Sequence, residues 1–201
     1  MTCIVGIVGS NGVVLAADSL GSGGGRKQEY ATSKLITLEA AEQVNDLVYK
    51  KITIGLGYTS SFRMGDILKH LFTPPLLKSN VDIEKYMVSE FVPAIINCFD
   101  DHHYTMTEKG KKEGGNFLVA LKGRLFEVQE DFSVLETTMG FAAIGSGESV
   151  AIGALYALGI DYEGDTTTSA LVDKAGVAIQ AASEFVTTVG GEIFVLEINN
   201  E

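Results

Sequence analysis

Residues 1–19 read MTCIVGIVGSNGVVLAADS. Two apolar runs rich in β-branched residues, 2–9 and 13–17, stand either side of Ser10-Asn11-Gly12. Asn-Gly between two such runs is a strong short-range hairpin signal, because both residues tolerate the positive φ of a tight turn. The chain is therefore expected to open as a β-hairpin that ends at Asp18-Ser19. Outward from it, residues 34–38 and 47–57 read as further strands. Residues 21–25 read as a Gly/Ser loop. The segment after this loop is polar and then strand-like, so the strand–turn–helix setting of a phosphate-binding loop is missing.

Two helices are expected next. Ser60 or Ser61 can cap FRMGDILKHLF (62–72), whose Phe62, Ile67, Leu68 and Leu71 fall largely on one face, and Thr73-Pro74-Pro75 ends it. Asp82 caps a longer segment to about Phe99, with Ile83, Met87, Phe91, Ile95 and Phe99 spaced four apart. Pro93 inside it predicts a kink. The second half mirrors the first. Residues 116–121 and 125–129 form a hairpin around Lys122-Gly123-Arg124, 141–145 a short strand, 147–158 and 167–187 two helices, and 193–198 a last strand. Residues 164–168, GDTTT, read as a turn before a helix, not a domain boundary. Helices grouped in this way favour stacked antiparallel sheets covered by helices over a doubly wound parallel sheet. The expected fold class is α+β, a four-layer αββα sandwich of two antiparallel sheets flanked by helices, with residues 1–201 as one domain.

The chain has 201 residues, 46% of them apolar, which suits a soluble domain with a large core. Its formal net charge is −11, and a nucleic-acid binder normally carries a basic patch. The nearest candidate, Lys109-Gly110-Lys111-Lys112, is short, is flanked by Glu108 and Glu113, and reads as a solvated loop. Cys3 and Cys98 share no C-x-x-C spacing, so reduced thiols are the simpler reading. No run reaches the roughly 18 apolar residues of a transmembrane helix, and the N-terminus lacks the basic region of a signal peptide; no membrane association and a cytoplasmic location are expected. Asp100-Asp101-His102-His103 lies at a helix end, and adjacent histidines do not share a helix face. Neither a metal nor a cofactor is expected. Cys3 faces the other side of a strand from Thr2 and reads as buried and inert.

The opening hairpin, with Lys34 next at the head of a strand, resembles proteasome β subunits and the bacterial HslV peptidase. GLGYTSSF (55–62) is similar to that family's Gly-rich turn before its first helix, GGNFLVALKGRLFEV (114–128) to its central hairpin, and AIGSGESVAIGALYA (143–157) to its Gly-Ser-Gly turn before the third helix. The matches keep their order and spacing over nearly the whole chain, which looks closer to bacterial and phage proteasome-like proteins than to the best-known proteasomes. The resemblance implies an N-terminal-nucleophile (Ntn) hydrolase of the threonine peptidase type.

The residues fit that chemistry. A threonine hydroxyl needs a base to act as a nucleophile, and a free α-amino group has a reference pKa of about 7.7–8.0. A residue both N-terminal and hydroxylated carries its own base. Thr2 becomes that residue if Met1 is removed, as methionine aminopeptidases do before a small residue. Lys34 would supply positive charge beside the Thr2 hydroxyl and amine, and Asp18 would pair with Lys34. The Gly57 N–H matches the family's oxyanion donor, and Ser146 matches the serine that hydrogen-bonds the terminal amine. The family carries an acid and a serine before its last Gly-rich turn. A gap-free alignment puts Val186 and Val189 there, and a small shift would bring in Glu184, Thr187 or Thr188. The family's pocket positions fall on Thr32, Gly55 and Thr59, which implies a small-to-medium neutral pocket.

The expected function is a threonine-type endopeptidase acting on peptide or unfolded-protein substrates in a homo-oligomeric ring. An ATP-dependent unfoldase partner is implied by analogy alone. The alternatives are a small-amide Ntn amidohydrolase and a catalytically silent structural ring in which a retained Met1 blocks the amine.

Overall fold

In the computed structural model, residues 2–23, 26–108, 110–160 and 166–200 are described. Strands β1 (Cys3–Gly9) and β2 (Gly12–Asp18) form the expected hairpin, pairing antiparallel from Ile4↔Ala17 to Gly9↔Gly12, but the two turn residues are Ser10 and Asn11, one position before the Asn-Gly pair, and Gly12 belongs to β2. A Cβ on Gly12 would lie 2.1 Å from the Ile198 carbonyl oxygen, so the turn needs glycine where it passes the last strand. β3 (Leu20–Gly23) pairs with β4 (Arg26–Glu29). The stretch expected as a Gly/Ser loop is thus a strand in its part 21–23, held by backbone hydrogen bonds that need no apolar side chains; Gly24 and Gly25 lie outside the described residues. β5 (Leu35–Asn45) and β6 (Val48–Tyr58) form a hairpin longer than expected. Ile36, Leu38 and Ala40 alternate inward along β5 while their polar neighbours face out.

Helix α1 (Phe62–His70) is capped by the Ser61 side chain, which accepts from the Arg63 N–H. Its buried face is Met64, Gly65, Ile67 and Leu68, whereas Phe62 and Leu71 are exposed, contrary to expectation. α2 (Ile83–Tyr86) is capped by Asp82 and runs through one π-helical turn, Met87–Phe91, into α3 (Val92–Asp101). That turn answers the expected kink at Pro93. Proline has no N–H and crowds the carbonyl of the preceding turn. The Val92 N–H reaches back to Met87, and the wider turn absorbs the mismatch.

β7 (Met106–Glu108) and β8 (Lys111–Glu113) form a short hairpin in place of the expected loop. β9 (Phe117–Leu121) and β10 (Arg124–Val128) form the expected central hairpin, with Lys122 and Gly123 both at positive φ. β11 (Val134–Glu136), β12 (Phe141–Gly145), α4 (Glu148–Ala157), α5 (Thr168–Phe185) and β13 (Ile193–Asn199) complete the order. Thr167 stands at the N-cap of α5, but positions 164 and 165 of the expected turn lie outside the described residues.

The fold is α+β. One antiparallel sheet runs β12-β1-β2-β13, the other β11-β10-β9-β6-β5. Three apolar clusters divide the strand faces between them. Ile4, Leu15, Leu118, Leu125 and Ile198 share the cluster formed by residues from both sheets. Cys3, Val5 and Ile7, the alternate residues of β1, join Ala151, Ala175 and Ala178 of α4 and α5. Ile54, Phe117 and Phe126 join Met64, Phe91 and Phe99 of the first helical group.

Leu15 is fully buried, and its methyl groups would meet a Cβ on either Gly6 or Gly55. Leu15→Ala should lower unfolding free energy by about 2–5 kcal/mol in urea denaturation, whereas Leu47→Ala, at a 90% exposed position, should stay within about 0.5 kcal/mol.

Candidate active site

Thr2 is buried immediately before β1. Asp18 ends β2 with no exposed surface, and the register Ile4↔Ala17 brings it beside Cys3. Its Oδ1 accepts from the Lys34 ammonium at 2.7 Å and from the Cys3 N–H at 2.9 Å. Its Oδ2 accepts from the Gly190 N–H at 3.1 Å. Lys34, 3% exposed at the head of β5, also donates to the Leu20 carbonyl at 2.8 Å. Burial pushes the Lys34 ammonium below the usual lysine range, and the hydrogen bond and charge of Asp18 oppose that shift. Thr2 and Lys34 line one cleft of about 110 Å³, together with Leu20, Tyr58, Thr59 and Phe62.

Ser146 occupies the turn between β12 and α4. Its hydroxyl donates to the Thr2 carbonyl at 3.2 Å, and the Gly147 N–H donates to the same oxygen at 3.3 Å. Gly145 has φ +94°, and a Cβ there would lie 2.3 Å from that oxygen. With its one proton directed at Thr2, the Ser146 Oγ accepts from the Thr188 hydroxyl, 2.9 Å away. Thr188 is thus the one of the three alternatives that joins Ser146, while Glu184 and Thr187 are exposed. Val186 and Val189, the positions of the gap-free alignment, pack into the core under α4 and α5.

Gly57 requires a correction. It lies within the β6 ladder opposite Leu35 and Leu118, and a Cβ there would meet Ile4 at 2.5 Å. The Tyr58 N–H donates toward β5, to Lys34, and the Thr59 N–H toward Asn116 on the β9 side. Alternation along a strand turns the Gly57 N–H to the β9 side as well, into the sheet rather than the cleft. Glycine here allows close approach of the two sheets. Of the expected pocket positions, Thr59 lines the cleft. Gly55 is packed between Ile198 and Leu15 in the core, and Thr32 is exposed, so those two are corrected also.

The aromatic walls of the cleft are absent from the expected site. The Tyr58 ring rests on Gly65, where a Cβ would come within 2.0 Å of it. Phe62 packs edge-on against Tyr30 with centroids 5.2 Å apart. Phe62 reads as core in helical spacing; its place at the first turn of α1 puts it on the cleft instead. Cys3 is buried away from the cleft, as expected, and burial pushes its thiol up to about 12, with the Asp18 charge acting in the same direction. Asp100 accepts from the Thr105 hydroxyl and from Lys112, and no set of three or more metal-ligating side chains comes together among the described residues.

No protein-family model matches the sequence, and no match is found among curated proteins. Solved structures do match. Thiobacillus denitrificans BPH is 23% identical with a TM-score of 0.66, covering 99% of this chain and 100% of its own, and it is matched also in complex with epoxomicin. HslV from Trypanosoma brucei is 19% identical with a TM-score of 0.60, covering 98% of this chain and 99% of its own. Anbu from Yersinia bercovieri is 18% identical with a TM-score of 0.66, covering 98% of this chain and 81% of its own, and Anbu from Pseudomonas aeruginosa is matched as a helical assembly. At these identities the likeness is one of fold: the chain has the proteasome β-like Ntn hydrolase fold of BPH, HslV and Anbu.

Proposed function

We propose that the chain is a threonine-type endopeptidase with an αββα arrangement of its two sheets and two helical groups, and that Thr2 is its nucleophile once Met1 is removed. The observation that carries this reading is the buried Lys34 ammonium, fixed by Asp18 at 2.7 Å and lining the same cleft as Thr2. A cation held there favours the alkoxide-like oxygen of Thr2 and the neutral form of its amine. The Thr2 Oγ adds to the peptide carbonyl as the α-amine takes its proton. The tetrahedral intermediate then expels the leaving amine, which receives that proton, and an ester remains on Thr2. Water deprotonated by the α-amine hydrolyses the ester and restores the hydroxyl.

Asp18 and Lys34 act as a unit in this scheme: the carboxylate keeps the ammonium charged where burial alone would favour its loss. Ser146 holds the Thr2 carbonyl, and Thr188 extends the hydroxyl chain on that side. The likeness to BPH, matched also in complex with epoxomicin, and to HslV supports the peptidase reading, and the helical assembly of Pseudomonas aeruginosa Anbu supports self-association; a homo-oligomeric ring and a cytoplasmic location are parts of this proposal. An ATP-dependent unfoldase partner rests on analogy only.

Intact-mass analysis with epoxomicin tests the nucleophile. The wild-type protein should lack Met1 and gain one adduct on Thr2. Thr2→Ala should gain none and lose at least about a thousandfold in casein and fluorogenic-peptide cleavage. Retained Met1 without an adduct would favour the silent ring, and hydrolysis of small amides without peptide cleavage the amidohydrolase.

Lys34→Met leaves the Asp18 carboxylate buried without its cation. It should lower stability by about 3–5 kcal/mol in urea as well as suppress cleavage; wild-type stability in this variant would show that the pair does not organise the site.

Cys3 is the rival nucleophile by position. The thiolate is the reactive form, and a thiol raised to about 12 is almost wholly protonated at pH 8. Iodoacetamide at that pH should leave Cys3 unmodified in the native protein and cleavage unchanged. Rapid Cys3 alkylation with loss of activity would transfer the role from Thr2 to Cys3.

A further inference from the structure

The cleft that holds Thr2 does not end at Ser60 and Ser61. These two residues also line a second cavity, of about 330 Å³, on the other side of their turn. Ser60 is held at φ +75°, an uncommon conformation for a residue with a Cβ, and Ser61 caps α1, so the divide between the two spaces is a fixed turn. Tyr104 lines the second cavity together with Ser61. Behind that cavity the wall is apolar: a Cβ on Gly114 would meet Phe132 at 2.8 Å, and Tyr104 packs edge-on against Phe99.

Two carboxylates, Glu113 and Glu130, line this second cavity. Among the described residues neither forms an ion pair. Lys112, the residue before Glu113 in β8, is engaged by Asp100. Unneutralised carboxylates on an apolar wall, reached from the cleft across one turn, favour a ligand with an aliphatic stem and a cationic head. Two carboxylates fall short of the six to eight or so oxygens that a calcium ion gathers.

We propose that this cavity is a specificity subsite that receives a lysine or arginine side chain of the substrate, at a position flanking the residue held in the Thr2 cleft. The proposal rests on the peptidase reading for the identity of its ligand as a peptide. A chain bound across Ser60 and Ser61 would place one side chain in each space. The aromatic cleft would take a neutral residue, and the acidic cavity a basic one.

Binding can be measured without chemistry. Thr2→Ala protein is titrated by fluorescence anisotropy with labelled hexapeptides that carry lysine, norleucine or glutamate at each position in turn. At one position, lysine should bind about five- to tenfold more tightly than norleucine, the range expected of two partly solvated ion pairs, with glutamate weakest. Glu113→Gln/Glu130→Gln should collapse that difference, and Glu130→Lys should favour the glutamate peptide at the same position. Both sites reach solvent, and circular dichroism confirms that the variants are folded. Equal affinity for lysine and norleucine at every position, or discrimination that persists in the double variant, overturns the proposal, as does absence of binding by all the peptides. Wild-type cleavage of the same peptides separates the two readings. Lysine discrimination in binding with no cleavage would keep the subsite and reject the peptidase; cleavage with no basic preference would do the reverse.

Discussion

Asp18 has no exposed surface, and its carboxylate gathers donors from three distant parts of the chain: Cys3 in the first strand, Lys34 at the head of β5 and Gly190 before the last strand. At 2.7 Å and an effective dielectric near 20, its attraction to the Lys34 ammonium is worth about 6 kcal/mol. Desolvating two ions opposes this with several kcal/mol for each, so the pair alone adds little net stability. Its effect is positional. Once both charges are buried, any arrangement that separates them is heavily penalised. The ends of β1, β2 and β5 and the turn at Gly190 are therefore held to a single mutual placement. Thr2 is one residue from Cys3, whose N–H is part of that set, and it inherits the precision.

Much of this is readable in the sequence where side-chain pattern alone decides structure. The opening hairpin, the Lys122-Gly123 hairpin, the long helices and the last strand all carry their own periodicity or turn chemistry. The short pairs β3–β4 and β7–β8 and the strand β11 do not. The two pairs are polar or glycine-rich, and β11 is a three-residue edge strand too short to show a period; all are held by backbone hydrogen bonds, which leave no trace in side-chain hydrophobicity. Met64 displaces Phe62 from the expected helix face because the fold offers the first turn of α1 a cleft rather than a core. Gly57 and Gly55 look like parts of a site because glycine marks both functional turns and close sheet packing. Only the neighbours Ile4 and Ile198 distinguish the two cases.

Thr188 stays open in the sequence for a different reason. Family position is read by alignment, and the valines on either side offer no hydroxyl at the aligned places. In the structure those valines are what make Thr188 effective. Val186 and Val189 anchor the segment after α5 in the core beneath α4 and α5. With both fixed, Thr188 between them is turned toward Ser146, and Gly190, just beyond Val189, delivers its N–H to Asp18. The apolar residues that look like a loss of chemistry act as the mount on which a shifted hydroxyl is carried.

The same alternation separates Thr2 from Cys3. A strand sends neighbouring side chains to opposite faces. Cys3 enters the cluster beneath α4 and α5, where a Cβ on Gly147 would come within 2.7 Å of its own. Thr2 is left on the cleft side with Lys34. Burial that raises the Cys3 thiol thus removes the stronger intrinsic nucleophile from competition. The adjacent hydroxyl is the group left lining the cleft with the fixed cation. A shift of the β1–β2 register by one residue would exchange the two and also pull Asp18 from the Cys3 N–H. The buried carboxylate opposes that slip, and so it selects which of two neighbouring residues faces the cleft.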